Sequence, residues 1–462
     1  MTQYDVAVLG AGPSGLTAAY CLGKAGARVA LLERAPQCGG LMRGIRRGDF
    51  RFDLGRKELY ARFPEVHRLW TELLGEDYRE YPHRVGVLYE GRILEKETSY
   101  KGRMRGMSAS QIARMAASYF ASQITPGSRA VRSVEDFYVL RYGRSYYDFF
   151  IHGFGLKFEG RSPAEMPNTD APQDVPRFGF LRRKDPRQEV ETDPLFSGQS
   201  TWRHPAKGTQ QIVDRLEEEF RRSGVKFLLD TEVLAIELDS DGVHRLHFRR
   251  NAEQAELVAR YVVSSVPLPL LTRLLHPQVP EDLRTPPSEE VLFKRSTALV
   301  YLLADGEPEF PHNWLEVTDL ALKMGRVVNY ATWNGEMVPK GKTGLCIEYF
   351  AVEGDPVMDL DKEGLFQLAV KEASANGLID PDRIQDHLVL QLPKTNASTV
   401  IHDRKQAWLG QVAEYLGGLP RFFETSRPGM DRATLAGIDA AEACLSGGAM
   451  RRRSLAASAQ EL

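Results

Sequence analysis

A glycine-rich turn between two short apolar segments constrains this chain more than any other feature. Tyr4–Leu9 (YDVAVL) is rich in β-branched residues and nearly uncharged, as is typical of a parallel strand buried on both faces. The motif G-x-G-x-x-G follows at 10–15, then a helical stretch at Leu16–Ala25 and a second strand at Arg28–Leu32. This order of elements predicts a Rossmann-like unit.

The residues of the turn suit a bound dinucleotide. Gly10 permits the tight turn, Gly12 lets the backbone approach a diphosphate, and Gly15 allows the helix to pack closely on the strand. The helix begins at Pro13 and Ser14, where free N–H groups and the positive end of the helix dipole face the phosphates. The turn and its flanking strands therefore predict a dinucleotide site.

NAD and FAD proteins share this pattern, so the residues after the second strand matter. Glu33 has the spacing of the acid that accepts hydrogen bonds from the adenosine ribose. The segment Arg34–Arg43 (RAPQCGGLMR) then contains a Gly-Gly pair, and Phe50–Gly55 (FRFDLG) looks like an F-x-D-x-G stretch. With these motifs the chain resembles the FAD proteins of the glutathione-reductase type. It resembles more closely the superfamily of the amine oxidases, protoporphyrinogen oxidase, phytoene desaturases and UDP-galactopyranose mutase.

The resemblance covers nearly the whole chain and implies FAD as the cofactor. In this superfamily the Gly-Gly pair brings the backbone against the flavin phosphate and ribityl chain, a later strand contacts the adenine, and the last helix points at the ribityl and diphosphate groups. The implied FAD contacts are Gly10, Gly12, Pro13, Ser14, Gly15, Glu33, Arg34, Gly40, Leu41, Met42, Val233, Ser265, Asp431, Thr434 and Gly437.

At 462 residues the chain is long for a single core, which favours two domains. We predict an α/β protein in which a Rossmann-like FAD-binding domain is joined to a mixed α+β substrate domain. The FAD-binding domain is expected in three segments, 1–60, 201–290 and 396–450, with a disordered tail at 451–462. The substrate domain is expected to have a helical part at 61–200 and a sheet part at 291–395.

The reaction centre is where this chain departs from the superfamily. Related chains commonly continue after the glycine of F-x-D-x-G with a second glycine and a histidine, whereas Arg56, Lys57 and Glu58 follow in this chain. Cations near the flavin ring would favour an anionic reduced flavin or an anionic substrate, unless these side chains point to solvent. The resemblance places the stretches of Lys57, His204 and Tyr349 beside the pocket, so these three are the catalytic candidates.

Other chemistries have no support in the sequence. It contains no Ser/His/Asp triad, zinc signature, P-loop or second G-x-G-x-x-G, so we expect no hydrolase, kinase or built-in NADPH domain. His244 and His247 fall on opposite faces of one strand, so we predict no metal site there. A net charge of −2 and a pI near 6.6 argue against nucleic acid as a partner.

The remaining expectations concern location and assembly. Four cysteines without paired spacing favour reduced thiols and a cytoplasmic protein. The N-terminus enters the first strand directly, which argues against a signal peptide, and the Arg451–Arg453 cluster lacks the apolar face of a stable membrane anchor. The oligomeric state stays open, with a homodimer among the alternatives.

Three functions fit these features. The first is oxidation of a small organic substrate by hydride transfer to flavin N5, in the manner of amine oxidases and protoporphyrinogen oxidase. The second is a redox-neutral reaction on a nucleotide sugar, as in UDP-galactopyranose mutase. The third is a non-catalytic flavin-binding subunit, suggested by the charged Arg56–Glu58 stretch. The sequence leaves the substrate and the electron acceptor open.

Overall fold

The computed structural model of the chain describes residues 2–59, 63–96, 107–124, 131–168, 171, 201–238, 243–276, 279–284, 294–352, 354–397 and 403–448. The tail predicted at 451–462 lies outside the described residues.

In chain order, the strands are β1 (Thr2–Leu9), β2 (Val29–Leu32), β3 (Gly44–Arg47), β4 (Phe50–Asp53), β5 (Tyr78–Pro82), β6 (Val85–Tyr89), β7 (Arg92–Glu95), β8 (Thr201–Pro205), β9 (Lys226–Leu228), β10 (Thr231–Leu238), β11 (His244–Arg250), β12 (Glu253–Ser264), β13 (Leu275–His276), β14 (Lys294–Asp305), β15 (Trp314–Val317), β16 (Arg326–Asn329), β17 (Lys342–Ala351), β18 (Ile384–Ala397) and β19 (Phe422–Glu424).

The helices, likewise in chain order, are α1 (Pro13–Lys24), α2 (Pro64–Leu74), α3 (Ala109–Ile124), α4 (Val134–Tyr142), α5 (Arg144–Tyr147), α6 (Gly153–Glu159), α7 (Gln210–Ser223), α8 (Leu268–Leu274), α9 (Glu281–Arg284), α10 (Tyr330–Trp333), α11 (Lys362–Ala375), α12 (Asp403–Gly417) and α13 (Met430–Ser446). A π-helical turn, Asp148–His152, connects α5 to α6.

Among the described residues, eight strands form a first sheet in the order β13-β10-β11-β12-β1-β2-β9, with β19 beside β12. Strand β1 pairs in parallel with both β2 and β12. Val6 and Val8 pack into a core with α1 and α13, while Ala7 and Leu9 pack on the other face with α12. Both faces of β1 are therefore covered, which explains why its sequence is apolar without alternation.

The parallel strands of the first sheet end at one common edge. Leu9 of β1 lies opposite Leu32 of β2 and opposite Ser264 of β12. Ser264 in turn lies opposite Glu424 of β19. Ligands of open α/β sheets bind in the crevice outside such carboxyl ends, so this edge is where a dinucleotide is expected.

A second sheet has the order β18-β14-β17-β16-β15-β6-β7 within the described residues. Its outer face packs against α11, where Val300 and Ile347 contact the helix residues Leu365 and Ala369 in one core. Its inner face packs against the segment that follows β3 and β4: Tyr301 and Cys346 share a second core with Phe52 and Leu54. The loop after β4 is thus held against the inner face of the second sheet.

Candidate functional site

The glycine turn has a backbone geometry that only glycine supplies at two positions. Gly10 has φ of +91°, in the left-handed region, and its N–H donates to the carbonyl of Leu32 at 2.8 Å. A Cβ on Gly15 would lie 1.9 Å from the carbonyl oxygen of Gly10. The turn between β1 and α1 therefore requires glycine at position 10 for its backbone conformation and at position 15 for the close approach of the helix.

The residues at the start of α1 fit a bound diphosphate. A Cβ built on Gly12 meets nothing within 4 Å, so the backbone here faces open space that a ligand can approach. Ser14 is 3% exposed, and its Oγ has no hydrogen-bond partner among the described residues. A buried hydroxyl without a partner is costly, and a diphosphate oxygen at this helix N-terminus would satisfy it. Pro13 is the first residue of the helix.

Glu33 lies directly beside this turn. Its Oε2 accepts a hydrogen bond from the N–H of Ala11 at 2.7 Å, and its Oε1 accepts one from the N–H of Ala35 at 2.8 Å. A carboxylate has about four lone-pair sites, so two remain for the hydroxyls of a ribose. Thr231, the first residue of β10, donates its N–H to the carbonyl of Glu33 at 2.8 Å, and Val233 follows two residues later.

The Gly-Gly segment packs against the turn from the other side. The N–H of Gly39 donates to the carbonyl of Ala11 at 2.7 Å, and a Cβ on Gly40 would lie 3.2 Å from the Cα of Gly12. Of the neighbouring cofactor candidates, Met42 is buried while Leu41 and Arg34 are exposed. The backbone of this segment, more than its side chains, is therefore positioned to face a ligand.

The last helix, α13, packs against the start of α1 beside the glycine turn. A Cβ on Gly437 would lie 2.3 Å from the carbonyl oxygen of Ser14, so α13 packs on the first turn of α1 at backbone distance. Asp431 and Thr434, in the first turns of α13, are both buried. Ser265 donates its Oγ to the carbonyl of Leu9 at 3.0 Å. The structure thus brings residues from both ends of the chain to the dinucleotide edge.

A hydrogen-bonded path leads from the glycine turn to the loop after β4. From Gly39 it continues through Met42, whose N–H donates to the carbonyl of Gly39 at 2.8 Å. Thr209 Oγ1 lies 2.8 Å from both the carbonyl oxygen of Met42 and Asp53 Oδ1 and has one proton for the two acceptors, while the N–H of Thr209 donates to Asp53 Oδ1 at 2.8 Å. Asp53 is the last residue of β4 and directly precedes the loop that carries Lys57.

Asp53 and His204 form a buried pair beneath this loop. Both side chains are 0% exposed, and His204 Nε2 lies 3.1 Å from Asp53 Oδ2, an ion-pair distance without the alignment of a hydrogen bond. Asp53 Oδ1 also accepts the N–H of Thr209 at 2.8 Å. His204 is therefore a partner of Asp53 inside the fold, where it has no direct access to a substrate.

Two tyrosines, Tyr301 of β14 and Tyr330 at the start of α10, hold the loop from the opposite side. Tyr301 Oη donates to the carbonyl of Asp53 at 2.7 Å and accepts the N–H of Gly55 at 3.1 Å. Tyr330 Oη lies within hydrogen-bond distance of the same carbonyl and of the carbonyl of Gly55. Burial raises the pKa of both hydroxyls, so they remain donors.

Glu348 fixes the next residue of the loop. Its Oε1 accepts the N–H of Arg56 at 2.6 Å, and its Oε2 accepts Arg326 Nη1 at 2.7 Å. The side chain of Arg56 pairs with Glu58 at 3.1 Å and lies over the ring of Trp314 at 5.0 Å. Glu348 is not among the residues predicted from the sequence. A carboxylate in the middle of the apolar strand β17 was the available signal, because a buried charge requires a partner.

Lys57 is the exception in this closely bonded loop. Its side chain is partly exposed, and its ammonium forms no hydrogen bond or ion pair with the described residues. Burial lowers the pKa of Lys57, while the nearby carboxylates of Glu348 and Asp53 oppose this shift. Of the three catalytic candidates, Lys57 is the one whose charge is available to a ligand.

Tyr349, the third catalytic candidate, lies away from the loop that carries Lys57. It follows Glu348 on β17, so its side chain points to the outer face of the second sheet, where its hydroxyl donates to Glu372 Oε2 at 3.3 Å. Burial raises its pKa. The structure brings Lys57 and His204 to the two sides of Asp53 but separates Tyr349 from both, so we leave Tyr349 out of the proposed site.

Two further features bear on the expectations about membranes and metals. In the described part of the chain, no helix is long and apolar enough to cross a membrane. Over the same residues, no group of three or more His, Cys, Asp or Glu side chains is arranged to hold a metal ion.

Comparison with solved structures gives the same architecture over almost the full length. Reduced UDP-galactopyranose mutase superposes with a TM-score of 0.79 at 17% identity and covers 99% of both chains. A putative protoporphyrinogen oxidase from Exiguobacterium sp. 255-15 gives 0.70 at 18% identity, covering 96% of this chain and 98% of that one. Putrescine oxidase bound to putrescine gives 0.61 at 17% identity, covering 96% and 99%. At these identities the likeness establishes the fold.

Sequence comparison with curated proteins gives short matches. Probable flavin-containing monoamine oxidase A of Dictyostelium discoideum is 32% identical over 109 residues, 24% of this chain and 23% of that protein. Carotenoid 3,4-desaturase of Haloarcula japonica is 39% identical over 77 residues, 17% of this chain and 15% of that protein. The chain therefore spans less than a quarter of the length of these relatives.

A family model extends the match to most of the chain. The model described as flavin containing amine oxidoreductase covers residues 13–445. This match confirms the predicted α/β fold class with a Rossmann-like FAD-binding domain, confirms FAD as the cofactor, and confirms the prediction of an FAD-dependent oxidoreductase at the level of the family. The chain belongs to the flavin containing amine oxidoreductase family.

Proposed function

We propose that this protein oxidises a small organic substrate by hydride transfer to N5 of a bound FAD. FAD, when bound, supplies the electron acceptor of this reaction. The residues proposed to hold it are those of the glycine turn, Glu33, the Gly-Gly segment and the start of α13. Around the reacting ring, the chain itself would supply a fixed wall and a positive charge.

The observation that carries the proposal is the hydrogen-bonded path from Ala11 to Asp53. It fixes the distance between the dinucleotide edge of the first sheet and the loop on the inner face of the second sheet. FAD is an extended molecule, so a cofactor anchored at Gly12 would direct its ring toward this loop. The loop would then be one wall of the reaction site, and the second sheet its roof.

The loop is suited to this task because its backbone is immobilised. Tyr301 and Glu348 bond to its carbonyl and N–H groups from the second sheet, and Tyr330 does so from the start of α10. Groups held in place before the reaction lose little freedom at the transition state, which is how preorganised sites lower barriers. Lys57, free of partners in the described part of the chain, would then stabilise the negative charge that develops on the ring or on the substrate.

The experiment is anaerobic reduction of the purified holoprotein by candidate substrates. Amines, porphyrinogens, polyenes and sugar nucleotides are mixed with the protein in a stopped-flow instrument, and loss of the oxidised flavin absorbance is followed. We expect rapid bleaching by one class and hydrogen peroxide on readmission of oxygen. A colourless protein that takes up no FAD would overturn the proposal. A yellow protein that no class reduces would also overturn it and would leave the nucleotide-sugar reaction, which needs a flavin already reduced, and the non-catalytic flavin-binding subunit.

A specific observation keeps the nucleotide-sugar reaction as the second candidate. Arg295 is 4% exposed and lies over the ring of Phe158 at 4.1 Å, and its Nε and Nη1 have no hydrogen-bond partner among the described residues. The Nε of buried Arg326 is also without a partner there, and its guanidinium lies 5.7 Å from the same ring. Two buried guanidinium groups with unused donors favour an anionic ligand such as a diphosphate.

The two candidates differ in their redox requirement. A nucleotide-sugar rearrangement would proceed only after the flavin is reduced and would release no peroxide. We expect Arg295→Met to weaken binding of UDP-galactose in equilibrium titration if this candidate holds, with Arg47→Met as the matched control, because Arg47 forms an exposed pair with Asp386 at the edge strand β18. Net substrate oxidation with peroxide formation would exclude this second candidate.

A further inference from the structure

The segment between the last strand and the last helix carries an arginine whose donors are only partly used. The side chain of Arg427 is 6% exposed. Its Nη1 donates to Glu424 Oε2 at 2.6 Å and to the carbonyl of Ser426 at 2.8 Å. Its Nε has no hydrogen-bond partner among the described residues, and neither of the two bonds uses Nη2. One side of the guanidinium is therefore fixed, and its other edge keeps N–H donors for a ligand.

This segment lies at the dinucleotide edge of the first sheet. Glu424 ends β19 opposite Ser264, the last residue of β12. The next residue, Thr425, donates its N–H to the carbonyl of Ser264 at 2.8 Å. Gly429, with φ of +82°, then leads the chain into α13. A strand, a turn with a left-handed glycine and a helix thus repeat, at the same edge, the arrangement of β1 and α1.

The order of the strands indicates which half of FAD this segment faces. Glu33, the proposed ribose partner, follows β2, while β12 and β19 lie on the other side of β1. The diphosphate is proposed to lie at the start of α1, between these two sides. An extended dinucleotide that crosses the turn from the β2 side would carry its flavin half toward β12 and β19. Arg427 is therefore on the flavin side of the glycine turn.

We propose that Arg427 binds the flavin half of FAD by donating two hydrogen bonds from its Nε and Nη2 edge, while Glu424 fixes the orientation of the guanidinium. The planar fork of an arginine matches two neighbouring acceptors. The flavin-side phosphate offers such a pair in two of its oxygens, and the ring offers one in N1 and the C2 carbonyl. A guanidinium is always charged, so this role requires no change of protonation. The inference concerns how the cofactor is held and does not depend on which substrate is oxidised.

The first experiment measures FAD affinity by fluorescence titration of the apoprotein. We expect Arg427→Met to bind FAD about ten- to hundredfold more weakly, because hydrogen bonds from a charged group are lost. Arg427→Lys should show a similar loss, since an ammonium keeps the charge but lacks the planar fork, and it serves if Arg427→Met does not fold. Arg260→Met is the matched control, because it removes an exposed arginine from β12 of the same sheet. Unchanged affinities in both Arg427 variants would overturn the proposal.

The second experiment tests for direct contact, because a purely structural role for Arg427 could also lower the affinity. The ³¹P NMR signals of the bound FAD and the midpoint potential of the flavin are measured in the holoprotein of each variant. A shifted phosphorus signal would place the guanidinium edge on the phosphate. A more negative potential in Arg427→Met with unchanged phosphorus signals would place it on the ring, where a positive charge stabilises the reduced form. A protein that binds FAD but shows neither change would overturn this inference and leave the proposed function standing.

Discussion

Tyr330 Oη lies 2.8 Å from the carbonyl oxygen of Gly55 and 3.0 Å from that of Asp53. A phenol has one proton to donate, and Tyr301 already donates to the Asp53 carbonyl at 2.7 Å. The hydroxyl of Tyr330 therefore serves chiefly the Gly55 carbonyl. This contact and the hydrogen bond from the Gly55 N–H to Tyr301 Oη together hold the residue that precedes Arg56 and Lys57, so we expect the loss of the Tyr330 hydroxyl to weaken flavin binding.

Removing that hydroxyl should loosen the loop without emptying the core. Tyr330→Phe keeps the ring, which packs 5.2 Å from that of Phe52, but leaves the buried Gly55 carbonyl without this donor. We expect the free energy of unfolding to fall by about 1–3 kcal/mol, the usual cost of an unsatisfied buried group. We also expect weaker FAD retention, measured as the fraction of flavin remaining after dialysis.

Tyr349→Phe is the matched control. It removes an equally buried hydroxyl, but from the outer face of the second sheet, where the partner is Glu372. We expect Tyr349→Phe to lower the free energy of unfolding by a similar or smaller amount. The flavin content and the flavin spectrum should stay unchanged. Loss of flavin from Tyr349→Phe equal to that from Tyr330→Phe would contradict the assignment of the inner face to the cofactor.

The glycine turn offers a test that separates folding from binding. Gly12→Ala adds a methyl group that meets nothing within 4 Å in the protein but occupies the approach of the diphosphate. We expect a variant with unchanged thermal unfolding in the absence of FAD and an FAD affinity lower by at least a factor of about ten, a cost of about 1.4 kcal/mol. Fluorescence titration of the apoprotein with FAD measures this affinity.

Substitutions of two other glycines serve as controls for Gly12→Ala. Gly335→Ala also adds a methyl group to open space, away from the turn, and should change neither stability nor FAD affinity. Gly15→Ala would place the methyl group 1.9 Å from a backbone oxygen and should impair folding itself. If Gly12→Ala bound FAD as tightly as the parent protein, the diphosphate would have to lie elsewhere.

The buried pair of Glu348 and Arg326 should be costly to break. Both side chains are nearly inaccessible, and Glu348→Gln would leave Arg326 without its carboxylate. Breaking such a pair by removing one partner typically costs about 3–5 kcal/mol, so we expect a large fall in the urea midpoint. Arg222→Gln, which removes an exposed pair with Glu219 at 2.6 Å, should change the free energy of unfolding by less than about 1 kcal/mol. If Glu348→Gln and Arg222→Gln lowered the free energy of unfolding by equal amounts, Glu348 would have to be solvated.

Local features of the fold were predictable from the sequence because their signals are local. The apolar periodicity of Pro64–Leu74 predicts a helix, and α2 has those bounds. The alternation in Val85–Leu94 with Glu90-Gly91 at its centre predicts a hairpin, and β6 pairs with β7 around that turn. The glycine turn with its flanking strands likewise predicted the dinucleotide edge, since Gly10 and Gly15 are required by the local backbone geometry and Gly12 leaves open the approach of a ligand.

The reaction site was less predictable because it depends on register and on contacts distant in sequence. Tyr349 and Glu348 are neighbours on β17, yet only Glu348 faces the loop, because side chains of a strand alternate between its faces. A resemblance that places a whole stretch beside the pocket cannot make this distinction. The pair of His204 and Asp53 joins two strands, β8 and β4, that are not neighbours in the chain, and nothing in either segment alone indicates the other.

Lys157 should make the stability of the protein rise with pH under alkaline conditions. Its ammonium donates to the carbonyls of Val317 at 3.2 Å, Asp319 at 2.6 Å and Met324 at 2.9 Å. Burial lowers its pKa from 10.5 to about 8, although the charges of Glu372 and Asp319 oppose the shift. Between about pH 8 and pH 10.5 the unfolded chain therefore holds this proton more tightly than the folded protein does. Wherever the unfolded state binds more protons, the free energy of unfolding increases with pH.

The measurement is urea unfolding of the parent protein and of Lys157→Met at a series of pH values. Other groups titrate in both proteins, so the difference between them isolates Lys157. We expect that difference to shift in favour of the parent protein by about 2 kcal/mol across the window, somewhat less than the full shift because the side chain is partly exposed. A difference that stays flat or moves the other way would mean that the three carbonyls hold the ammonium charged in the folded protein, outweighing its burial.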